Sequence, residues 1–321
     1  MELAELTQGI RAEALRLGFT AVGVTDVASL GLRRREYLLW RDAGRAGTMQ
    51  YMNHLLERQE RLLSRFPNLK GILVLAAPYA RGRVPSGPVP AGSGRIARYA
   101  QGRDYHRVIR KRLRRLADFI RQRAPDAVLQ VSVDKGPLQE KVLAEAAGLG
   151  FFGKNSCLIM PNGGSFFFLA LLLTNLDLVT DSPISWDCGS CTLCLQACPT
   201  GALVSAYQLD ATRCISYLTI EHRGPIPPDL RPLPGDWLFG CDICQEVCPY
   251  NRQAHPAPHW PEFDPASGAG AFLPLDRVSA IRTSAQFLSR FAGTPLMRAK
   301  REGLLRNAEL VAESSTTHPP V

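Results

Sequence analysis

The chain has 321 residues, of which 45% are hydrophobic and 21% charged, and its formal net charge is +9. This length allows two domains with cores of their own, and the basic balance suits a polyanionic partner such as nucleic acid without selecting one. The longest apolar run covers only residues 166–173. A membrane-spanning helix needs about 20 residues, so we expect no membrane span and interpret this run as a buried strand.

The amino-terminal part, residues 1–180, shows the mixed helical and strand periodicities of an α/β (or α+β) domain. Helices are predicted over 3–17, 105–123 and 138–147, and strands over 19–27, 71–79, 127–134, 156–160 and 165–173. The sequence Pro-Asn-Gly-Gly at 161–164 predicts a hairpin between the last two of these strands.

The rest of the chain divides into three further segments. Residues 181–255 hold most of the cysteines and predict a small domain like a bacterial ferredoxin. Residues 256–270 are rich in proline and glycine and predict a linker, which two short carboxy-terminal helices follow up to residue 313. The second helix is expected to begin at Thr294-Pro295, and residues 314–321 predict a disordered tail.

Eight of the nine cysteines form two matched runs within residues 188–248. The first run has the bacterial ferredoxin spacing for a cubane iron–sulfur cluster, in which the fourth cysteine of a run ligates the other cluster. This rule assigns Cys188, Cys191, Cys194 and Cys248 to cluster one, and Cys198, Cys214, Cys241 and Cys244 to cluster two. In cluster two, Cys214 replaces from a distant loop the first cysteine that the second run lacks.

Zinc and disulfides are the alternative explanations for these cysteines. Structural zinc sites usually have two separated Cys-x-x-Cys pairs, without a third equally spaced cysteine or a trailing Cys-Pro. Disulfides need an oxidising compartment. Residues 1–19 contain no continuous apolar segment of a secretion signal, so we expect a cytoplasmic protein and favour the clusters. The remaining Cys157 is expected to be a small buried thiol.

The predicted helix 105–123 is strongly basic on the side opposite its apolar stripe. Its cations are Arg107, Arg110, Lys111, Arg112, Arg114, Arg115, Arg121 and Arg123. The last helix repeats the pattern with Arg298, Lys300, Arg301 and Arg306. Such a face is either simply solvated or an electrostatic footprint for phosphates, and the near absence of acids favours nucleic acid slightly.

Several segments together resemble the epoxyqueuosine reductase family. The matching segments are 98–106, 133–141, 148–159, 200–202, 214–221, 224–227, 241–251 and 293–307. Many redox proteins share the cysteine runs, but their combination with residues 133–159 and 214–227 is much more specific. The resemblance extends over roughly residues 1–310.

The resemblance implies a monomeric cytoplasmic enzyme in which residues 1–180 bind cobalamin and the ferredoxin-like segment binds two [4Fe-4S] clusters. It implies two-electron reduction of epoxyqueuosine to queuosine in a tRNA anticodon, with electrons from an external low-potential donor. Ile109 stands where the Asp-x-His-x-x-Gly signature of histidine-ligated corrinoid proteins has its glycine. We therefore expect base-off cobalamin without a histidine ligand from the protein.

The resemblance also implies that Asp134 is the catalytic proton donor. An aspartate between a strand and a helix is more often a cap, but the family has its proton donor at this position. The carboxyl end of a strand in an open α/β sheet is also where ligand crevices form, and burial beside a cofactor favours a general acid. Further cofactor contacts are expected from Arg98, Tyr99, Gly153, Lys154, Asn155, Ser156, Cys157, Ser216 and Asp242.

Two other functions fit the same cysteine runs. A corrinoid reductive dehalogenase-like enzyme shares the clusters and the corrin, but such enzymes are usually exported and need no basic face. A non-catalytic electron-transfer protein of the ferredoxin type requires neither Asp134 nor the basic helix. Both features therefore favour an enzyme that acts on RNA.

Overall fold

The computed structural model describes residues 2–79, 88–231 and 234–317. Its helices are α1 (Leu3–Arg16), α2 (Arg34–Asp42), α3 (Gln50–Asn53), α4 (Leu55–Arg65), α5 (Tyr105–Arg123), α6 (Glu140–Ala146), α7 (Leu193–Ala197), α8 (Ile215–Ile220), α9 (Ile243–Glu246), α10 (Pro249–Arg252), α11 (Leu275–Ser279), α12 (Ser284–Phe291) and α13 (Lys300–Thr317). Its strands are β1 (Ala21–Asp26), β2 (Gly71–Pro78), β3 (Ser93–Ile96), β4 (Leu129–Ser132), β5 (Phe151–Phe152), β6 (Leu158–Ile159), β7 (Phe167–Thr174), β8 (Leu203–Ser205), β9 (Gln208–Leu209), β10 (Trp237–Phe239) and β11 (Phe272–Pro274).

A four-stranded sheet in the order β1-β2-β7-β4 forms the centre of the amino-terminal part. The apolar runs of β2 and β7 occupy its middle, where every residue of both strands is buried. Successive side chains of β2 enter different cores, because a strand alternates its faces. Leu73 and Leu75 pack with α1 and α5, while Ile72 and Val74 pack with α6 on the other face. The α/β class predicted from the sequence is confirmed.

All three strand pairings in this sheet are antiparallel. The rule that places ligand crevices at the carboxyl ends of parallel strands therefore does not apply to this sheet, and that part of the argument for Asp134 is wrong. Strand β4 also ends at Ser132, two residues earlier than predicted, which leaves Asp134 in the turn between β4 and α6. Its φ of 53° lies in the left-handed region that residues other than glycine rarely adopt.

The predicted hairpin across residues 161–164 is wrong in its pairing. Strand β6 pairs with β5, the strand that precedes it in the chain, and only a single bridge joins Met160 to Gly164. Strand β7 instead enters the central sheet between β2 and β4, because its long apolar run can be buried on both faces there.

A second sheet joins strands from three segments that were predicted as separate units. Strand β3 pairs in parallel with β10 and antiparallel with β11. Ile96, Phe239 and Leu273 from these strands share a core with Leu304 of α13. The ferredoxin-like and carboxy-terminal segments are thus packed together with the amino-terminal part.

The prediction of a linker over residues 256–270 is wrong, because this segment packs on the amino-terminal core. Trp260 and Phe263 are buried and stack on each other. The Trp260 indole N–H donates to the carbonyl oxygen of Gly18 at 2.8 Å, and its ring meets Phe19 edge-on. Burial of these two aromatic side chains thus fixes the segment on the core, although its proline and glycine content predicts a linker.

The carboxy-terminal end differs from its prediction. Thr294 precedes a 3-10 turn over Pro295–Ala299, and α13 follows and continues to Thr317. The first four residues of the predicted disordered tail are therefore helical, and residues 318–321 lie outside the described residues. Within the described ranges, no helix has the length and apolar character needed to cross a membrane.

Candidate active site

The thiols assigned to cluster one come together in the structure. Cys188, Cys191, Cys194 and Cys248 all line one cavity, although Cys248 belongs to the second run. Burial raises the pKa of the Cys248 thiol, and the nearby Cys188 adds to the shift. This arrangement fits the crossed ligation of a ferredoxin-type cluster.

The thiols assigned to cluster two are also neighbours. Burial raises the pKa of Cys241, and the Cys214 and Cys198 thiols raise it further through their proximity. Cys244 in turn lies near Cys241 and Cys214. Across the described ranges, no three His, Cys, Asp or Glu side chains converge on the position of a single metal ion. The second set thus brings together thiols from Cys198, Cys214, Cys241 and Cys244, as its assignment to one cluster requires.

The loop 153–157, predicted to contact the cofactor, lies between the two cysteine sets. The Lys154 backbone N–H donates to Cys188 Sγ at 3.4 Å, while the Asn155 amide donates to the Cys244 carbonyl oxygen at 3.2 Å. Cys157 shares a thiol hydrogen bond with Cys244, which lowers the pKa of Cys157. The loop is closed by Gly153, whose N–H donates to the Cys157 carbonyl oxygen.

Asp134 lies beside the start of α5. The Tyr105 hydroxyl donates a short hydrogen bond to its carboxylate, and His106 Nε2 lies 3.7 Å from the same oxygen. The other ring nitrogen of His106 is 2.7 Å from Asp104, which also caps α5 by accepting the His106 N–H. The Asp134 side chain is 59% exposed. A partly oriented carboxyl group with an open face can exchange a proton with a bound molecule.

Glu140 faces Asp134 from the first turn of α6, a role that the sequence did not reveal. Its carboxylate accepts the backbone N–H of Asp134 at 2.8 Å. Burial and the Asp134 charge together raise the pKa of Glu140 to about 8. From the sequence, Glu140 looks like a helix-surface residue. Only its separation from Asp134 by six residues hints that its side chain could reach the Asp134 backbone.

An aromatic wall borders Asp134. Tyr105 stacks on Phe168 with ring centroids 4.2 Å apart, and Tyr99 meets Tyr105 edge-on at 6.3 Å. Burial raises the pKa of both tyrosines, so their hydroxyl groups stay neutral donors. Tyr99 and Cys241 also pack against one small core formed by Ala97, Ile215 and Trp237. The wall therefore extends from Asp134 to the second cysteine set.

Arg98 and Asp242, predicted as cofactor contacts, are bonded to each other. The Arg98 backbone N–H donates to the buried Asp242 carboxylate at 2.8 Å, and the Arg98 guanidinium donates to Glu246 at 3.3 Å. Burial raises the pKa of Asp242 to about 7. Because Asp242 separates Cys241 from Cys244, this group fixes the loop of the second cysteine run against the turn that carries Tyr99.

A further group of three residues, Tyr51, Glu221 and Arg298, lies near enough to Asp134 for its charge to act on Tyr51; the sequence singled out only Arg298, as a basic residue. Arg298 donates to Glu221 at 2.8 Å and stands over the Tyr51 ring. Burial raises the pKa of Tyr51 to about 12, and the charges of Glu221 and Asp134 both contribute. Ser216, which was predicted to contact the cofactor, is half-buried on α8, and Glu221 comes directly after this helix.

The two basic segments differ in how their cations are used. On α5, Arg112 pairs with Glu262 at 3.0 Å and stacks on Trp260, whereas Arg107, Lys111, Arg114 and Arg115 are exposed. On α13, Arg301 and Arg306 donate to backbone carbonyl oxygens and are half-buried. The helix α5 therefore presents a basic face, and the cations of α13 largely hold the fold together.

Comparison with known proteins defines the class first. Residues 187–251 match the family model of a 4Fe-4S double cluster binding domain. Residues 60–135 match the family model "Epoxyqueuosine reductase QueG, DUF1730". Together with the cysteine sets and the aspartate site, these matches define an iron–sulfur oxidoreductase.

Similar proteins identify the family. The chain is 40% identical to the epoxyqueuosine reductase of Pseudomonas aeruginosa, over 99% of this chain and 88% of that protein. It is 39% identical to the one of Gloeobacter violaceus, over 95% of both chains. The chain belongs to the epoxyqueuosine reductase family.

Solved structures show the same fold. The structure of an epoxyqueuosine reductase with an epoxyqueuosine-modified tRNA-Tyr stem loop aligns with a TM-score of 0.84 and 32% identity, over 97% of this chain and 81% of that chain. The Bacillus subtilis enzyme, solved with its catalytic aspartate loop swung out of the active site, aligns with a TM-score of 0.84 and 32% identity over 97% of this chain and 82% of that chain.

Proposed function

We propose that this protein reduces the epoxide of epoxyqueuosine to the alkene of queuosine within a tRNA anticodon. The reaction consumes two electrons and two protons and releases the epoxide oxygen as water. Family membership over nearly the whole chain supports this proposal, as does the relative that holds an epoxyqueuosine-modified stem loop. The observation that carries it is the half-open Asp134 carboxyl group between Tyr105, His106 and Glu140.

In this proposal, Asp134 gives a proton to the departing epoxide oxygen. Tyr105 orients the carboxyl group by its hydrogen bond, and Glu140 holds the Asp134 backbone. His106 is bonded to Asp104 through one nitrogen and points the other towards Asp134, which makes it suited to restore the proton. The catalytic aspartate loop of the Bacillus subtilis relative supports this assignment.

The residues fit the two cofactor types. Each cysteine set would supply the four thiolates of a cubane cluster, and the aromatic wall around Tyr99 would offer surface for a corrin beside Asp134. Ser216, which is half-buried on α8, is a further proposed contact. The proposed corrin is base-off and has no histidine ligand from the protein. When bound, the clusters deliver single electrons and cobalamin supplies a low-valent cobalt centre, so the protein itself provides orientation and protons.

The loop 153–157 and the Arg98–Asp242 pair remain proposed cofactor contacts. Their bonds with the cysteine loops support a role at the boundary between the clusters and the corrin. Cys188 and Cys191 of the first set, with Trp186 and Tyr250, also line an open surface depression. We propose that an external low-potential electron donor approaches the cytoplasmic, monomeric protein there.

The exposed cations of α5 support tRNA as the partner. The helix begins at Asp104-Tyr105-His106 beside Asp134, and Arg107 and Lys111 follow on successive turns of its exposed face. A row of cations that leads away from the reaction site can follow the phosphates of an anticodon stem.

An anaerobic assay tests the proposal. Protein with both clusters is incubated with cobalamin, a strong reductant and epoxyqueuosine-containing tRNA, and nucleosides are measured by mass spectrometry. We expect queuosine from the wild-type protein and none from Asp134→Asn, which should keep its iron and bind cobalamin. Absence of queuosine with cluster-loaded wild-type protein, or near-normal turnover by Asp134→Asn, would overturn the reaction or the proton donor respectively.

A further inference from the structure

Lys154 places a positive charge against the first cysteine set. Its ammonium group donates to the carbonyl oxygens of Gly189 at 2.6 Å and Cys191 at 2.9 Å. Its backbone N–H donates to Cys188 Sγ at 3.4 Å. Lys154 also lines the cavity that Cys188, Cys191, Cys194 and Cys248 surround. The ammonium group is therefore bonded to the backbone of the cysteine loop beside the volume that four cluster thiolates would enclose.

The hydrogen-bond partners of the Lys154 ammonium group are neutral. The ammonium partners are neutral carbonyl oxygens, and no carboxylate among the described residues forms an ion pair with Lys154. Asp187, an acid of the same cysteine loop, accepts the backbone N–H of Gly189 at 2.6 Å and makes no ion pair with Lys154 within 4.0 Å. The Lys154 ammonium group therefore faces the backbone of the first cysteine loop without an ion pair within 4.0 Å in the described residues.

The same loop reaches the second set without a charged group. Asn155 donates its amide to the Cys244 carbonyl oxygen, and Cys157 shares a thiol hydrogen bond with Cys244. A second cation, Lys141, contacts this end of the loop by donating to the Ser156 carbonyl oxygen at 2.7 Å. The two lysines therefore hold opposite ends of one loop, and only Lys154 contacts the first set.

Charge and sulfur hydrogen bonds set the reduction potential of an iron–sulfur cluster. A cubane core with four thiolates carries one more negative charge after it accepts an electron, so a nearby cation stabilises the reduced form. We propose that Lys154 is a redox-tuning residue that makes the cluster of the first cysteine set easier to reduce by its donor. The proposal rests on the ligand sets proposed above, and on no assumption about the substrate.

The test is a reductive titration of cluster-loaded protein, followed by electron paramagnetic resonance. In Lys154→Met, we expect the midpoint potential of the first cluster to move to a more negative value, while that of the second cluster stays in place. The Cys248→Ser variant, which should keep only the second cluster, shows which signal belongs to which set.

Two matched variants separate charge from structure. Lys154→Arg keeps the cation and should keep the potential near that of the wild type. Lys141→Met removes an equal charge from the other end of the loop and should leave the first cluster unshifted. An unshifted first cluster in Lys154→Met with full iron content overturns the proposal.

Other outcomes are equally decisive. If Lys154→Met loses the iron of the first cluster, then Lys154 only holds the cysteine loop, and redox tuning is refuted. If Lys141→Met shifts the first cluster as much as Lys154→Met does, the effect is a general loss of charge and the specific role is refuted. Wild-type protein without two clusters would instead contradict the ligand sets, whatever Lys154 does.

Discussion

The Asp134 backbone N–H donates to the Glu140 carboxylate at 2.8 Å while Asp134 holds a left-handed φ of 53°. For a residue with a side chain, this conformation costs roughly 1–2 kcal/mol. The hydrogen bond to Glu140 offsets part of that cost and directs the Asp134 side chain towards Tyr105 and His106. Glu140 is therefore a positioning residue for the proposed proton donor.

Replacing Glu140 tests this role. Glu140→Ala removes the acceptor, and we expect kcat to fall roughly 10-fold, because a hydrogen bond of this kind contributes about 1–1.5 kcal/mol. Glu140→Gln keeps a carbonyl acceptor and should retain most of the activity. KM for the tRNA should change little in both variants, as Glu140 makes no contact on the basic face. Equal activity of Glu140→Ala and wild type in steady-state assays would refute the role.

Glu140 should also make stability depend on pH. Burial and the Asp134 charge raise its pKa to about 8, so the folded protein holds this proton more tightly than the unfolded chain does. The stabilisation is complete below the unfolded pKa of about 4.3 and is lost as pH rises to about 8. The Tm of Glu140→Gln minus that of the wild type should therefore rise as the pH increases from about 4.3 to about 8, and it should stay constant at higher pH. A thermal scan at several pH values measures this, with the exposed Glu36→Gln as a control that should show no such trend.

Tyr105→Phe removes the hydroxyl that orients Asp134 but keeps the ring that stacks on Phe168 at 4.2 Å. Loss of a hydrogen bond to a charged group costs about 1.5–3 kcal/mol, so kcat/KM should fall roughly 10- to 100-fold. Iron content and Tm should stay close to wild type. Unchanged kcat/KM with correctly loaded protein would mean that the hydroxyl does not orient the donor.

Local elements of this fold could be predicted from the sequence, and long-range pairing could not. The apolar stripe located α5 at its observed bounds, and two apolar runs located β2 and β7. Strand β3 has only four residues, and it pairs with strands from two distant segments. Hydrophobic periodicity reveals neither so short a strand nor its pairing.

The same limit applies to the site. Cysteine spacing predicted which thiols are neighbours, because ligand geometry restricts that spacing. Glu140 and Arg298 depend on how separate elements fold towards Asp134 and Tyr51, and no local pattern records this.

The crossed cysteine sets make a distinctive prediction. Cys248→Ser should remove the cluster that Cys188, Cys191 and Cys194 bind, since all four line one cavity. Cys198→Ser should remove the cluster of the second run, because Cys198 neighbours Cys214 and Cys241. Iron analysis and electron paramagnetic resonance should show one remaining 4Fe-4S cluster in each variant, with different signals. If Cys248→Ser gave the same remaining signal as Cys241→Ser, the ligation would not be crossed.

The exposed face of α5 should carry part of the affinity for tRNA. Arg114 and Arg115 are exposed there, whereas Arg112 is held by Glu262 and Trp260. A double substitution, Arg114→Ala with Arg115→Ala, should weaken anticodon stem-loop binding and reduce the salt dependence by about 0.7–0.9 in log–log slope for each lost phosphate contact. Titrations at several salt concentrations measure this. Arg290→Ala on α12, also exposed, removes a cation away from α5 and serves as the control. When a phosphate contact is lost, binding releases fewer counterions and the slope must fall. An unchanged slope in the double variant would therefore mean that this face of α5 is simply solvated and takes no part in RNA binding.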